Sequence, residues 1–151
     1  MRLPDNSQRG FTILETLVAA TISGALLLAA VPNVSSALSA GRLQSASRAT
    51  AQYLRLVRAT AVGKNLQSRL VVSGGGSTLS TEVYRSGAWT ATGQPLVLEG
   101  GTSVASVLPS ASALVFTSQG TTSGTVTVVV QTSRGDHRNL VVSPLGVVEA
   151  S

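Results

Sequence analysis

Hydrophobic and polar residues alternate with a different period in each part of this chain. Residues 1–10 are polar, residues 11–31 are almost continuously apolar, and residues 32–65 place apolar side chains at a helical spacing. From residue 66 onward, short Val- and Thr-rich runs with a period of two are separated by Gly, Ser and Pro, as is typical of strands and turns. The pattern therefore predicts an α+β protein with a leader peptide, an apolar helix half, an amphipathic helix half and a β-rich domain over 66–151.

The apolar segment contains a single carboxylate, Glu15. A helix over residues 11–31 would be roughly 31 Å long, enough to cross the core of a bilayer. A charge inside such a segment is costly and usually marks a functional contact. Arg2 and Arg9 precede the segment, and a positive flank of this kind stays in the cytoplasm. We therefore expect one transmembrane helix with its C-terminal domain on the outer side.

Residues 33–64 are predicted to form an amphipathic helix. Its apolar stripe comprises Leu43, Ala46, Thr50, Leu54, Val57 and Ala61, with Tyr53 at the border, because these positions coincide at 100° per residue. Arg48 and Arg55 are predicted on nearly the opposite face and Arg58 on its flank. Two interpretations of these arginines are open: a solvated helix face, or a stripe that contacts anions or a partner.

The helix is predicted to end near Gly63 and Asn65, since both residue types favour helix C-termini. Gly74–Gly76 is predicted to be a flexible turn. Strands are predicted over 69–72, 78–84, 95–98, 103–108, 113–117, 125–132, 137–143 and 147–149. Such a small β-rich part needs further apolar surface to complete a core, so we expect its antiparallel sheet to pack on the stripe of the amphipathic helix.

The composition argues against an enzyme. The chain has no cysteine, one histidine, His137, and six scattered acidic residues. This leaves no thiolate chemistry, no metal-ligand cluster, no nucleophile–base set and no phosphate-binding loop with its lysine. We therefore predict no catalytic residues, no metal and no cofactor. The net charge of +5 is modest and by itself indicates only a general attraction to anions.

The stretch Gly10-Phe11-Thr12-Ile13-Leu14-Glu15, followed by the apolar span, resembles the type IV pilin-like signal, or class III leader. The resemblance implies that prepilin peptidase cuts between Gly10 and Phe11 and that Phe11 is then N-methylated. It implies that Glu15 serves filament assembly by neutralising the N-terminal amine of a neighbouring subunit. It also implies a helix that continues through a kink at Pro32. The alternative is an ordinary signal anchor with a chance glutamate.

Two further segments, Leu114–Val126 and Arg138–Gly146, are similar to the GspH/FimT family in their succession of strand, Gly-rich turn, Val-rich strand and final turn. The resemblance implies a pilin-like fold and a minor pseudopilin (type II secretion protein H-like) or minor pilin. Such a protein is a non-catalytic structural subunit of a filament assembled at the inner membrane, with a periplasmic C-terminal domain. Its implied partners are other pilins, which it meets through the N-terminal helix, prepilin peptidase and the membrane.

The alternative within the same family is a FimT-like minor pilin that binds DNA during natural transformation. Arg134 and Arg138 are the candidate residues for contact with DNA or a partner. The family often has arginine after the glycine that matches Gly146, where this chain has valine, and Asp136 and Glu149 dilute the positive charge. Two phosphate contacts give a log–log salt slope of only about −1.8. We therefore expect DNA binding to be weak at most.

Overall fold

The computed structural model describes residues 11–109 and 113–150. The predicted leader, residues 1–10, lies outside the described residues. The chain forms two compact units, one extending to Leu38 and one over Ser39–Ser151. The candidate sites of the β-rich domain all lie in the second unit.

A single long helix, α1, runs over Ile13–Lys64. It continues past Pro32, so the prediction that this proline does not stop the helix is confirmed. Asn65 adopts a positive φ of 50°. The Asn65 N–H donates to the Val62 carbonyl, and the Leu66 N–H donates to the Ala61 carbonyl. These two bonds make a Schellman motif that satisfies the last helix carbonyls, so the predicted helix end is confirmed.

The strands form two antiparallel sheets. They are β1 (Ser68–Ser73), β2 (Thr78–Arg85), β3 (Ala88–Val97), β4 (Thr102–Leu108), β5 (Leu114–Phe116), β6 (Val126–Thr132), β7 (His137–Val142) and β8 (Val148–Ala150). The first sheet has the order β3-β2-β1-β5 and the second has the order β4-β6-β7-β8. The sequence predicted an antiparallel sheet packed on the helix, and the structure divides that sheet into two four-stranded sheets.

The structure refines two local predictions. Residues 95–98 do not form a separate strand, because residues 95–97 continue β3, which pairs with β2 across a register shift between Leu79 and Thr81. Gly74–Gly76 forms the predicted turn, which joins β1 to β2 with all three glycines at positive φ. Gly76 is buried with φ +92°, and a Cβ there would collide with the backbone carbonyl of Val104. The glycine run therefore lets the backbone approach β4 closely.

The hydrophobic core lies between the second half of α1 and the inner faces of both sheets. Every residue of the predicted apolar stripe is buried, and Leu54, Val57 and Ala61 are completely inaccessible. The predicted inward-facing residues of β6 and β7 are buried as well: Val126, Val128, Val130, Leu140 and Val142. The alternation of these strands and the stripe of the helix thus meet in one core, as the pattern predicts.

Candidate assembly elements and an arginine-lined groove

The N-terminal signal residues lie at the start of α1. Gly10 is outside the described residues, and Phe11 precedes the helix with 80% of its surface exposed. Thr12 caps the helix, because its hydroxyl oxygen accepts the Glu15 N–H at 3.2 Å. A threonine followed three residues later by glutamate is the signature of a capping box. The signal motif thus also starts the helix, a role that the interpretation of the sequence did not anticipate.

The first turns of α1 expose apolar side chains. Ile13 is 83% exposed, Leu14 is 74% exposed, and Leu17, Val18 and Ile22 are also exposed. The carboxylate of Glu15 lies among them, in the first helical turn, and makes no ion pair with any described residue. A helix with apolar residues on all sides needs an apolar environment or neighbouring helices. Over the described ranges, no helix is both long enough and apolar enough to cross a membrane.

The second unit contains a groove of about 240 Å³ between α1, β7 and β8. Three arginines line it: Arg48 and Arg55 from α1 and Arg138 from β7. Its floor includes Leu140 and Val148, which are buried. The Arg55 guanidinium donates to the Val148 carbonyl at 3.4 Å, on the edge strand of the second sheet.

This geometry gives the helix face of Arg48 and Arg55 a neighbour that helical periodicity alone does not predict. Arg48 and Arg55 face the same groove as Arg138, because β8 adds an edge strand beside the helix and long arginine side chains reach around the helix surface. Arg134 lies exposed in the turn between β6 and β7 and does not line the groove. The structure therefore brings Arg138 together with two helix arginines in one groove, and Arg134 and Arg138 stay the predicted residues for contact with DNA or a partner.

Arg58 has a structural role. It is partly buried, and its Nε donates to the Gly120 carbonyl at 3.0 Å. Gly146, with φ +75°, packs against the same carbonyl and the same guanidinium. Nearby, the Thr122 N–H donates to the Pro144 carbonyl at 2.9 Å. The turn after β5 and the turn before β8 are thus held together on one arginine of the helix, so the interpretation of Arg58 as part of a solvated or partner-binding face is wrong.

Acidic groups are sparse around these elements. The side chain of Asp136 accepts a hydrogen bond from the Ser39 hydroxyl at 3.3 Å. Over the part of the chain that the structure describes, no group of three or more His, Asp or Glu side chains could hold a metal ion.

Comparison with protein families supplies two matches. Residues 5–31 match the prokaryotic N-terminal methylation motif, and residues 46–146 match the family described as type II transport protein GspH. The chain belongs to the GspH family. The match spans the amphipathic end of α1, the strands β1 to β7, and the turns held by Arg58.

Two solved structures have the same fold. The type IV minor pilin FimU of Pseudomonas aeruginosa superposes with a TM-score of 0.63 at 21% identity, over 74% of this chain and 89% of FimU. The minor pseudopilin EpsH of Vibrio cholerae superposes with a TM-score of 0.59 at 12% identity, over 73% of this chain and 96% of EpsH. Comparison with curated protein sequences found no match.

The family matches make this chain a minor pseudopilin or minor pilin. Its α+β, pilin-like fold agrees with that assignment. The GspH family and the methylation motif place it among membrane-anchored filament subunits that are processed as prepilins and assemble with other pilins.

Proposed function

We propose that this GspH-family chain is a non-catalytic structural subunit of a filament used for protein secretion or pilus biogenesis. In this proposal its first helix half anchors it in the inner membrane as a single span, with the N-terminus in the cytoplasm and the β-rich domain in the periplasm. The observation that carries the proposal is the match to the N-terminal methylation motif over residues 5–31, joined to a GspH domain over residues 46–146.

The proposal includes processing at the leader. Prepilin peptidase removes residues 1–10 after Gly10, and Phe11 becomes the methylated N-terminus. Intact-protein mass spectrometry of membrane-extracted chain tests this, with a Gly10→Val variant as the matched unprocessed control. We expect the mature mass with one added methyl group for the natural chain and the full-length mass for the variant. Retention of residues 1–10 in the presence of the matching peptidase would contradict the proposal.

Glu15 is proposed to pair with the N-terminal amine of a neighbouring subunit. Its carboxylate lies among exposed apolar residues without a described ionic partner. The N-terminus of its own helix offsets only about 0.3–1 kcal/mol at such an exposed site, so burial in a filament requires a further cation. The neighbour's amine is a cation that every processed subunit would provide.

Substitution of Glu15 tests this pairing. Glu15→Gln keeps the size of the side chain and removes its charge, and Glu15→Asp keeps the charge as the matched control. We expect both variants to reach the membrane and to be cleaved, while Glu15→Gln is depleted from sheared filaments and Glu15→Asp retains part of the incorporation. Normal incorporation of Glu15→Gln would show that charge pairing is dispensable.

DNA capture remains the alternative function. The matching descriptions name type II transport, a type IV minor pilin and a minor pseudopilin, and none of them specifically favours DNA binding. The structural role is therefore the function that the observations support best.

A further inference from the structure

We propose that the arginine-lined groove of Arg48, Arg55 and Arg138 binds an acidic, extended segment of a neighbouring filament subunit. Binding of such a segment is a property of the second unit alone, since every residue that lines the groove lies after Ser39. The identification of the carrier as a filament subunit rests on the proposed function. The class of ligand is inferred from the charge, the size and the edge strand of the groove.

All the charged residues that line the groove are positive. Three guanidinium groups line it, and no Asp or Glu is among the lining residues. Glu149 lies between Val148 and Ala150 in β8, and alternation along the strand directs its side chain to the opposite face. Among the described residues, the ion pair between Arg69 and Glu82 lies on the other sheet. No described carboxylate therefore neutralises Arg48 or Arg138.

The size and lining of the groove suit a short stretch of polypeptide. At about 240 Å³ it is smaller than the roughly 300–1,000 Å³ that is usual for small-molecule sites. Its floor is apolar at Leu140 and Val148, and Gln44 and Gln52 add amide groups along the helix side. Such a surface can accept alternate apolar side chains while its arginines meet carboxylates at the rim.

The edge strand of the second sheet suggests how the bound segment is oriented in the groove. β8 is the last strand of that sheet, and its Val148 carbonyl accepts a hydrogen bond from the Arg55 side chain instead of from another strand. Extended peptides are known to dock at exposed strand edges, where they add a strand to the sheet. We infer that the bound segment lies along β8, where it places carboxylates near Arg48 and Arg138.

Two other occupants fit less well. A second copy of this chain offers six acidic residues against eleven basic ones, so it repels more than it complements the groove. Duplex DNA presents about one charge per 1.7 Å on a convex surface, whereas the groove is concave and its three arginines border an apolar floor. Both occupants are outcomes that the test separates from the acidic segment.

Fluorescence anisotropy of the full chain in a mild nonionic detergent tests the inference. The probe is a short fluorescein-labelled peptide of alternating Glu and Val, compared with the same peptide in which Gln replaces Glu and with a short labelled duplex. We expect the Glu peptide to bind most tightly, with an affinity that falls as salt rises. Arg48→Ala and Arg138→Ala are each expected to weaken it by about tenfold, as loss of one charge-assisted hydrogen bond implies.

Charge reversal provides the sharper test. The double variant Arg48→Glu/Arg138→Glu should lose the Glu peptide and bind a peptide of alternating Lys and Val. Arg85→Ala, an exposed arginine of β2, is the matched control and should leave both affinities unchanged. Circular dichroism melting curves establish that each variant is folded.

Equal binding of the Glu and Gln peptides, or no binding of either, would overturn the inference. Preference for the duplex would replace it with nucleic-acid binding, and concentration-dependent self-association abolished by Arg138→Ala would replace it with a contact between copies. Incorporation into filaments is measured separately with the Glu15 variants, so failure of the groove proposal leaves the filament role intact.

Discussion

Gly146 offers the most direct test of how the end of the chain is held on the helix. It lies in the turn before β8 with φ +75°, and its N–H donates to the Ser143 carbonyl at 2.8 Å. A Cβ at this position would overlap the Gly120 carbonyl oxygen and lie 2.8 Å from the Arg58 Nε. Gly146 is also buried, so we expect Gly146→Ala to destabilise the domain strongly.

Three contributions determine how much Gly146→Ala lowers the free energy of unfolding. The left-handed backbone conformation costs an alanine roughly 1–2 kcal/mol. Forcing a methyl group against backbone costs typically about 1–3 kcal/mol, because the carbonyl cannot rotate away as a side chain can. If the turn moves to relieve the overlap, the bond from Arg58 to Gly120 is strained or lost, at about 1–3 kcal/mol. The second and third costs are alternatives, so we expect a total of about 2–5 kcal/mol, a large part of the roughly 5–15 kcal/mol that stabilises a typical domain.

Gly135→Ala is the matched control. Gly135 also has a positive φ, +91°, but a Cβ there would meet no atom within 4 Å, so this variant isolates the backbone term. Thermal unfolding of the full chain in mild detergent, followed by circular dichroism, compares the two. We expect Gly146→Ala to lower the Tm by about 10 °C or more and Gly135→Ala by only a few degrees. If the two variants differ by less than about 1 kcal/mol, the steric argument is wrong.

Three further predictions can be checked by the same unfolding measurement or by simple purification. Thr50→Val should raise the free energy of unfolding by about 1 kcal/mol, because the fully buried Thr50 hydroxyl has no hydrogen-bond partner among the described residues and an isosteric methyl group avoids its desolvation. A loss of stability would show that the hydroxyl does have a partner. Gly63→Ala should add about 0.5–1 kcal/mol, since this helical glycine has open space around its Cβ position and alanine favours the helix; an unchanged Tm would contradict this. A fragment over 33–151 should be monomeric and should give a circular dichroism spectrum of mixed helix and strand, because it retains the whole compact unit from Ser39. An unfolded spectrum would show that the first helix half is needed for the fold.

The sequence by itself determined the helix, most of the strands and the faces that they bury. The stripe from Leu43 to Ala61 and the alternation in β6 identify core positions correctly, because the periods 3.6 and 2 are local consequences of backbone geometry. The Gly10–Glu15 motif indicated the same class of protein as the later match to the methylation motif. The capping role of Thr12 was also readable there, since threonine with glutamate three residues later is a local signal.

Only the tertiary structure decided how distant segments meet. The strands could have formed one sheet or two, and local alternation carries no information about which strands become neighbours. Arg138 lies beside Arg48 and Arg55 because β7 and β8 pack against the helix. Arg58 bonds to the Gly120 carbonyl because the turn after β5 also packs there. Helical periodicity assigns an arginine to a face of the helix. Whether that face is exposed to solvent or borders a groove depends on the reach of the arginine side chain and on the position of the neighbouring strand edge.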